Sequence, residues 1–247
     1  MNHNVEYCDP FSGTRQDIWM KLEHCGRYQY ACDFLESVGC GSVIDLACAN
    51  GYGSEMLSEK IPRVLSADRN AEYLRSGYLK RENIRALCFD FDSDGYPEAL
   101  AVSDAVVCFE TLEHLRDPFR FLDRITEYIR PGGWLLCSFP NPAYERLNPD
   151  GTNQDPFHLH LINKEKVAGF LSGKGFTVHS VLGQPVCNRC CTIEHELKES
   201  NQIKESDVGN AFQYDRASIT ALSRILARPQ AEEADESYSF ILTAQKA

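Results

Sequence analysis

One stretch near the start of the chain constrains its fold most: a short apolar run followed by a turn of small residues. Residues 43–46 (Val-Ile-Asp-Leu) have the composition of a buried strand, and residues 47–53 (Ala-Cys-Ala-Asn-Gly-Tyr-Gly) lead into a helical pattern. Small residues let a ligand lie against the backbone, and a helix start offers N–H groups. A second apolar run, 64–67, ends in Asp68, 23 residues after Asp45. An acid there suits ribose hydroxyls, so the pattern predicts a nucleoside-binding site.

Strand and helix patterns alternate along the middle of the chain. Apolar residues at helical spacing between Ile18 and Val38 predict one or two helices before the first strand. Later patterns predict a helix at 164–172 and strands at 176–181 and 237–244. This alternation predicts an α/β fold with a parallel sheet and helices on both faces. The first five predicted strands are 43–46, 63–67, 85–89, 104–109 and 134–139.

Three further motifs follow in order after the fourth predicted strand. They are Glu110-Thr111-Leu112-Glu113-His114, the predicted turn Pro131-Gly132-Gly133, and the break Pro140-Asn141-Pro142. With the first loop and Asp68, they resemble the motifs of class I S-adenosylmethionine (SAM)-dependent methyltransferases over residues 18–182. The usual loop reads acid-x-Gly-x-Gly-x-Gly, whereas alanine stands at 47 and 49 here. The resemblance implies a Rossmann-like, mostly parallel seven-stranded sheet with an antiparallel edge strand. It also implies SAM as cofactor and S-adenosylhomocysteine as product.

The same resemblance implies which residues contact the nucleoside part of the cofactor. Asp68 would accept hydrogen bonds from the ribose hydroxyls, with a helix N-cap as its alternative role. Asp90 and Phe91 would hold the adenine, with Asp92 as the alternative acid. The full predicted cofactor set is Arg27, Tyr28, Asp45, Ala47, Gly51, Asp68, Arg69, Asp90, Phe91, Phe109 and Glu110.

Arg27 and Tyr28 enter that set through a pattern that precedes the first strand. Residues 24–31 read His-x-x-Arg-Tyr-x-x-Ala, which resembles a helix of bacterial methyltransferases from glycan and small-molecule pathways. In that family an arginine or tyrosine often contacts the carboxylate or methionine side of the cofactor, and the guanidinium fork suits a carboxylate. A solvated helix arginine and a core tyrosine are the alternative.

The motif after the fourth strand carries candidate groups for catalysis. Glu110, Glu113 and His114 would share one face of a helix, and two carboxylates with an imidazole suit half of a divalent-metal site. The segment 155–160 (Asp-Pro-Phe-His-Leu-His) would supply the remaining ligand, with His158 as the candidate. This arrangement resembles small-RNA 3′-terminal 2′-O-methyltransferases and some catechol-type methyltransferases of quinone biosynthesis, in which a metal holds the acceptor hydroxyl. We favour a metal-free site in which His114, His158 or His160 is the general base.

The cysteines and the length of the apolar segments predict the cellular compartment of the protein. Eleven cysteines are present, an odd count, and many lie in predicted apolar segments, where a thiol behaves as a small hydrophobe. Cys187, Cys190, Cys191 and His195 resemble half a zinc site, but a single Cys-x-x-Cys favours free thiols. The start of the chain has no apolar signal segment, and no stretch approaches about 18 apolar residues. We therefore predict a reduced cytoplasmic protein without disulfides or a membrane span.

Composition bounds the partners and the domain organisation. The net charge of −11 disfavours nucleic acid, because affinity for it comes from Lys and Arg. We predict four parts. Residues 1–42 form an N-terminal arm (1–17 loose) and helices, and residues 43–182 form the core with a lid at about 143–160. Residues 183–236 form an insertion with one helix, about 215–226, and the acidic run 232–236, and residues 237–247 form the final strand.

The resemblance and the motifs together predict a SAM-dependent methyltransferase. The acceptor would be a hydroxyl on a sugar, glycan or small secondary metabolite, bound between the ends of the first and fourth strands under the lid. A metal-dependent RNA 2′-O-methyltransferase is one alternative. A non-catalytic SAM-fold regulatory or partner protein is another, and the alanines at 47 and 49 motivate it. A nicotinamide oxidoreductase fits the later motifs poorly.

Overall fold

The structure is a computed structural model that describes residues 8–12, 18–93, 95–204, 214–231 and 234–247. Within these ranges, the strands are β1 (Ser42–Leu46), β2 (Arg63–Asp68), β3 (Ile84–Cys88), β4 (Ser103–Phe109), β5 (Ile129–Pro140), β6 (Phe176–Gly183) and β7 (Ser239–Lys246). The α-helices are α1 (Ile18–Ser37), α2 (Tyr52–Ser58), α3 (Pro118–Thr126), α4 (Lys164–Gly173), α5 (Val186–Glu199) and α6 (Arg216–Leu226). None of these helices has the length and apolar composition needed to cross a membrane.

The seven strands form one sheet in the order β3-β2-β1-β4-β5-β7-β6. Neighbours from β3 to β5 are parallel, whereas β7 runs antiparallel between β5 and β6. This topology confirms the predicted Rossmann-like α/β class with an antiparallel strand near one edge. The strand order reverses between β1 and β4, where Leu46 pairs with Cys108. Ligands of such sheets bind at the carboxyl ends of the strands beside this reversal.

Alternating side chains bury both faces of the sheet. Ile44 and Val106 lie in one apolar cluster with α3 and α4, whereas Val43 and Val107 lie in a second cluster with α1, α2 and α6. Because successive side chains point to opposite faces, a sheet covered on both sides needs strands that are apolar throughout. Each fully buried aliphatic side chain contributes roughly 1.5–3 kcal/mol. This burial holds the ends of β1 and β4 in fixed positions at the predicted cleft.

The run Pro131-Gly132-Gly133 is not the predicted turn but lies inside β5. This strand pairs with β4 at Ile129 and next at Trp134, so the residues between them form a bulge. Gly132 adopts a φ of +73°, which glycine tolerates without strain. A Cβ on Gly133 would lie 2.7 Å from the carbonyl oxygen of Asp104. The turn prediction was wrong because a bulge uses the same residue types as a turn.

In the described part of residues 183–236 there are two α-helices rather than the one predicted. The predicted helix near 215–226 corresponds to α6, whose N-cap, Asp215, accepts a hydrogen bond from the Ser218 N–H. The other helix, α5, was missed because it buries Val186 alone among its residues and so has little apolar periodicity. Glu232 and Glu233 of the predicted acidic run lie outside the described residues.

Part of the predicted loose arm packs against the domain. Residues 1–7 and 13–17 lie outside the described residues, but residues 8–12 are described. Asp9 is 4% exposed and Pro10 is also buried. The prediction of a loose arm was wrong for residues 8–12, because their partners lie far along the chain and leave no local pattern.

Gly133→Ala should destabilise the protein, because the added methyl group meets the Asp104 carbonyl oxygen and the Ile129 side chain inside the bulge. We expect the free energy of unfolding, measured by urea titration, to fall by about 1–3 kcal/mol, the usual cost of overpacking. Gly169→Ala is the matched control, since a Cβ there has no neighbour within 4 Å and the residue lies in α4. Alanine in a helix should add about 0.5–1 kcal/mol. Equal stability of Gly133→Ala and wild type would contradict this packing.

Candidate active site

The loop after β1 has the backbone of a glycine-rich turn although two of its positions are alanine. Ala47 and Ala49 adopt φ values of +56° and +49°, and Gly51 adopts +83°. Such left-handed conformations cost an L-residue about 1–2 kcal/mol, whereas glycine adopts them freely. A Cβ on Gly51 would also overlap the Leu79 side chain. The chain therefore keeps the conformation expected of the family loop, and the two alanines make it costlier.

Asp68 holds this loop from the end of β2. Its Oδ2 accepts a hydrogen bond from the Ala49 N–H at 2.9 Å, and its Oδ1 accepts one from the Asn70 N–H at 2.7 Å. Burial raises the pKa of Asp68, while the bonds from Asn70 and Ala49 act in the opposite direction. Asp68 is not a helix N-cap, because the next helical turn has Glu72 in that position. The contact of Asp68 with ribose hydroxyls stays a prediction, and its place beside the loop suits that role.

Tyr28 joins α1 to Asp45, the next-to-last residue of β1. Its hydroxyl donates to Asp45 Oδ1 at 3.0 Å, and the Ser54 hydroxyl donates to Asp45 Oδ2 at 2.6 Å. Burial raises the pKa of Asp45 to about 7 in spite of these two bonds. A Cβ on Gly53 would overlap the Tyr28 ring, so glycine is needed for this close approach. Tyr28 and Asp45 thus form one buried polar unit beneath the loop.

Arg27 lies in a buried ion pair with Glu110. The Arg27 Nη1 lies 2.7 Å from Glu110 Oε1, and the arginine side chain is 2% exposed. The Glu110 carboxylate also accepts from the hydroxyls of Ser138 at 2.6 Å and Ser239 at 2.9 Å. Burial alone would raise the pKa of Glu110, but Arg27 and then Ser138 hold it below its usual value. Direct contact of either residue with the cofactor stays a prediction, and the guanidinium already has a carboxylate partner.

The residues predicted to hold adenine lie just after β3. Asp90 is exposed, and its Oδ1 accepts from the Asp92 N–H at 3.0 Å. Phe91 is buried and packs edge-on against Phe121. The alternative acid, Asp92, lies 3.5 Å from the Arg116 guanidinium. A cavity of about 360 Å³ opens beside Phe91 and Asp92. The adenine contacts stay predictions.

The structure also places two other predicted cofactor residues and one histidine that was not predicted. Arg69 is exposed after β2, whereas Phe109 is buried at the end of β4 with its ring centroid 5.1 Å from that of Tyr28. His24 Nδ1 lies 3.2 Å from the Tyr52 hydroxyl. Burial, and then the neighbouring Arg27, lower the pKa of His24 to about 3. His24 is the first residue of the pattern that contains Arg27 and Tyr28. That pattern could therefore have identified His24 as a candidate.

A second cluster brings together three residues that are distant in the chain. One ligand-type atom each from Glu113, His114 and His158 lies within 4.8 Å of the other two. The His114 Nδ1–H donates to the Phe157 carbonyl oxygen at 2.9 Å, because a carbonyl can only accept. The His158 Nδ1–H likewise donates to the Glu145 carboxylate at 2.8 Å. In the neutral form, both imidazoles therefore carry the lone pair on Nε2. Glu145 was not predicted, because no motif surrounds it.

Glu113 is the most buried member of this cluster. It is 1% exposed, and among the described residues its Oε2 has no hydrogen-bond partner. Burial, followed by repulsion from Glu110, raises the pKa of Glu113 well above its usual value. The predicted grouping of Glu110 with these ligands was wrong, since Glu110 turns to Arg27 instead. The motif forms a short 3-10 turn at 112–114 rather than a full helix, and Glu110 lies before this turn.

The remaining candidates lie outside both clusters. His160 is exposed, and its Nε2 donates to the Arg116 carbonyl oxygen at 3.1 Å. Its predicted role as a base stays untested. Cys187 and Cys191 lie on one face of α5 with their sulfurs 3.9 Å apart. Within the described residues they belong to no metal-type cluster, and no disulfide joins the described cysteines.

Comparisons with known proteins agree with this geometry. Residues 22–181 match the family model described as a methyltransferase domain. A "Probable S-adenosylmethionine-dependent methyltransferase" of Mycolicibacterium smegmatis is 28% identical over 176 residues, which cover 68% of this chain and 64% of that protein. A "Ubiquinone biosynthesis O-methyltransferase" of Xylella fastidiosa is 27% identical over 168 residues, covering 60% and 65% respectively. The chain thus spans less than two thirds of either relative.

A solved structure supports the same fold. A SAM-dependent methyltransferase from Clostridium acetobutylicum aligns with a TM-score of 0.57 at 10% identity, covering 91% of this chain and 92% of that one. The chain belongs to the methyltransferase domain family. The predicted class, a SAM-dependent methyltransferase domain, is confirmed by the family match and the sequence relatives. The residues at the end of β1 fit that cofactor, since the left-handed loop and Asp68 form one edge of the cleft.

Asp45→Asn should change how stability depends on pH. The native pKa of Asp45, about 7, lies above its value of about 3.9 in an unfolded chain. Between these values the unfolded chain releases a proton that the native protein keeps, so this group makes wild-type stability fall as pH rises. The variant lacks this titration. Its melting temperature minus that of wild type should therefore rise between about pH 5 and about pH 8. A difference that stays constant or falls would contradict a protonated Asp45.

Proposed function

We propose that the protein transfers the methyl group of SAM to a hydroxyl oxygen of a sugar, glycan or other small metabolite. The observation that carries this proposal is the pairing of His158 with Glu145 beside Glu113 and His114. The name of the Xylella fastidiosa relative supports oxygen as the methylated atom. The net charge of −11 supports a small acceptor over nucleic acid.

In this proposal His158 is the general base. Glu145 holds the Nδ1–H, which keeps the lone pair on Nε2 and stabilises the imidazolium that forms when the hydroxyl proton arrives. The bound cofactor supplies an electrophilic methyl group on a positively charged sulfur. The chain's own task is therefore to orient the hydroxyl, accept its proton and exclude water. The side chains of His158 and Glu145 are 4% and 5% exposed, which keeps this proton transfer away from bulk solvent.

The lid beside this pair presents apolar side chains. Phe157, Leu159 and Leu161 are 36%, 52% and 42% exposed, and they alternate with the buried His158. The Leu159 N–H donates to the Glu113 carbonyl oxygen at 2.7 Å, so this surface adjoins the cluster. Exposed apolar groups at a site favour a ligand with an aromatic or aliphatic part. Among the proposed acceptors, we therefore place small metabolites with such a part ahead of bare sugars.

His158→Ala should reduce kcat with a hydroxyl acceptor by about 100-fold or more, the usual contribution of a general base. We would measure release of S-adenosylhomocysteine with a panel of substituted catechols and sugars. The affinity for S-adenosylhomocysteine, measured by calorimetry, should stay unchanged because His158 lies in the lid and not at the loop.

His160→Ala is the matched comparison for this experiment. Its imidazole is held by the Arg116 carbonyl outside the cluster, so turnover should remain close to that of wild type. The proposal fails if both variants lose the same activity, or if His158→Ala keeps full activity on every accepted acceptor.

A divalent cation held by Glu113, His114 and His158 is a second way for this site to activate a hydroxyl. Carboxylate and imidazole donors suit Mn²⁺ or Zn²⁺, and the outward Nδ1–H bonds are those that orient metal-ligating histidines. The buried, unpartnered Oε2 of Glu113 favours this candidate specifically. A bound cation would lower the pKa of a hydroxyl beside it. This candidate and the metal-free base use the same residues and differ in whether an ion is required.

Chelation distinguishes the cation-dependent site from the metal-free general base. If the cation is required, EDTA should abolish turnover and Mn²⁺ should restore it. Calorimetry should then show Mn²⁺ binding that Glu113→Gln removes. Turnover that resists chelation, in a protein that binds no Mn²⁺, would exclude the metal centre. Mn²⁺-dependent methylation of RNA oligomers, with no activity on small hydroxyl compounds, would instead favour the RNA 2′-O-methyltransferase alternative.

A further inference from the structure

Two segments outside the matched family region meet at the cofactor loop. The family model covers residues 22–181, whereas residues 8–12 and helix α6 lie before and after it. We call residues 8–12 together with Arg216 of α6 the clasp. The clasp contacts Asn50 in the segment between β1 and α2, where the left-handed backbone positions lie, and Glu55 in α2 itself.

Asp9 connects the clasp to the loop. Its Oδ2 accepts from the Asn50 side-chain amide at 2.7 Å and from the Tyr78 hydroxyl at 3.4 Å, and its Oδ1 accepts from the Phe11 N–H at 2.9 Å. Asp9 is 4% exposed, and a carboxylate this buried needs such donors. Asp9 therefore joins the loop, through Asn50, to the segment of Tyr78 that packs beside it.

Asn50 transmits this restraint to the loop backbone. Its Oδ1 accepts from the Tyr52 N–H at 3.3 Å while its amide nitrogen donates to Asp9, so both ends of the side chain are held. Its neighbour Ala49 adopts the left-handed φ of +49°. Strained residues persist where their surroundings over-determine them, and Asn50 is part of those surroundings.

Arg216 covers the clasp from the insertion. Its guanidinium lies 4.5 Å from the centre of the Phe11 ring and 5.9 Å from that of Tyr78. Its Nη1 also lies 2.6 Å from Glu55 Oε2 in α2. Phe11 in turn packs edge-on against Tyr52, with ring centroids 6.2 Å apart. One arginine of α6 therefore ties residues 8–12 to the helix that follows the loop.

We propose that the clasp holds the β1–α2 loop in its cofactor-binding conformation, with Asp9 and Arg216 as positioning residues for SAM. The loop needs this restraint because alanine occupies two left-handed positions that glycine would occupy without strain. In this proposal the role of the insertion is to supply Arg216. The inference concerns the cofactor alone and does not depend on which acceptor is methylated.

Asp9→Ala and Arg216→Gln in the full chain test this proposal, with S-adenosylhomocysteine as the probe. We expect each variant to raise the Kd about tenfold, mostly through faster dissociation, as for loss of one charge-assisted interaction. Arg224→Gln is the matched control, because Arg224 lies in the same helix and its Nη1 is 3.6 Å from Asp33, away from the clasp. Its Kd should equal that of wild type. Asp9→Asn replaces Asp9→Ala if the latter does not fold.

Ala49→Gly separates a role through the loop from general destabilisation. Combined with Asp9→Ala, it should restore most of the affinity, because glycine removes the strain that the clasp offsets. Gly169→Ala, which should stabilise α4 instead, should restore none. The proposal is overturned if Asp9→Ala and Arg216→Gln bind the probe as wild type does, whatever their melting temperatures. It is also overturned if Ala49→Gly fails to restore affinity or if Gly169→Ala restores it equally.

Discussion

The buried ion pair between Arg27 and Glu110 is the interaction on which the cleft depends. Arg27 comes from α1, and Glu110 directly follows β4 and also accepts hydrogen bonds from Ser138 of β5 and Ser239 of β7. The Arg27 Nε donates to Gln184, just after β6, at 3.3 Å. One pair thus ties a helix to the ends of four strands. Loss of either partner would leave a buried charge uncompensated, which costs about 3–5 kcal/mol.

Most of the fold could be predicted from local sequence patterns. The strand ends at Leu46, Asp68 and Phe109 could be located from apolar runs and the residues that stop them, because a doubly covered sheet needs continuous apolar strands. The run at 131–133 misled because glycine and proline mark bulges as well as turns. Helix α5 escaped notice because its burial depends on tertiary neighbours and not on periodicity.

The residues of the two sites divide in the same way. Some are predictable from local sequence patterns, and the roles of others depend on partners that are distant in the chain. The loop and Asp68 were predictable, since they form one strand-turn-helix unit and its neighbouring strand. The partner of Arg27 was not, because an arginine type alone suits a ligand carboxylate and a protein carboxylate equally. Likewise, only the tertiary contacts of the folded segment distinguish His158, held by Glu145, from the exposed His160 two residues later. Sequence identifies such groups as candidates, and tertiary contacts decide which of them act together.

The position of β7 has a consequence for how the protein folds. This strand comes last in sequence order yet lies between β5 and β6, and it begins about 100 residues after β5 ends. Ser239, in its first position, completes the set of hydrogen-bond donors around the Glu110 carboxylate. The polar network at the cleft is therefore complete only after this distant segment has inserted between β5 and β6. Long-range closure of this kind is slow compared with local pairing. During synthesis, the chain would carry an exposed edge of β5 and an incomplete cofactor cleft until residues 239–246 had emerged, which makes this stage the one most open to misassembly.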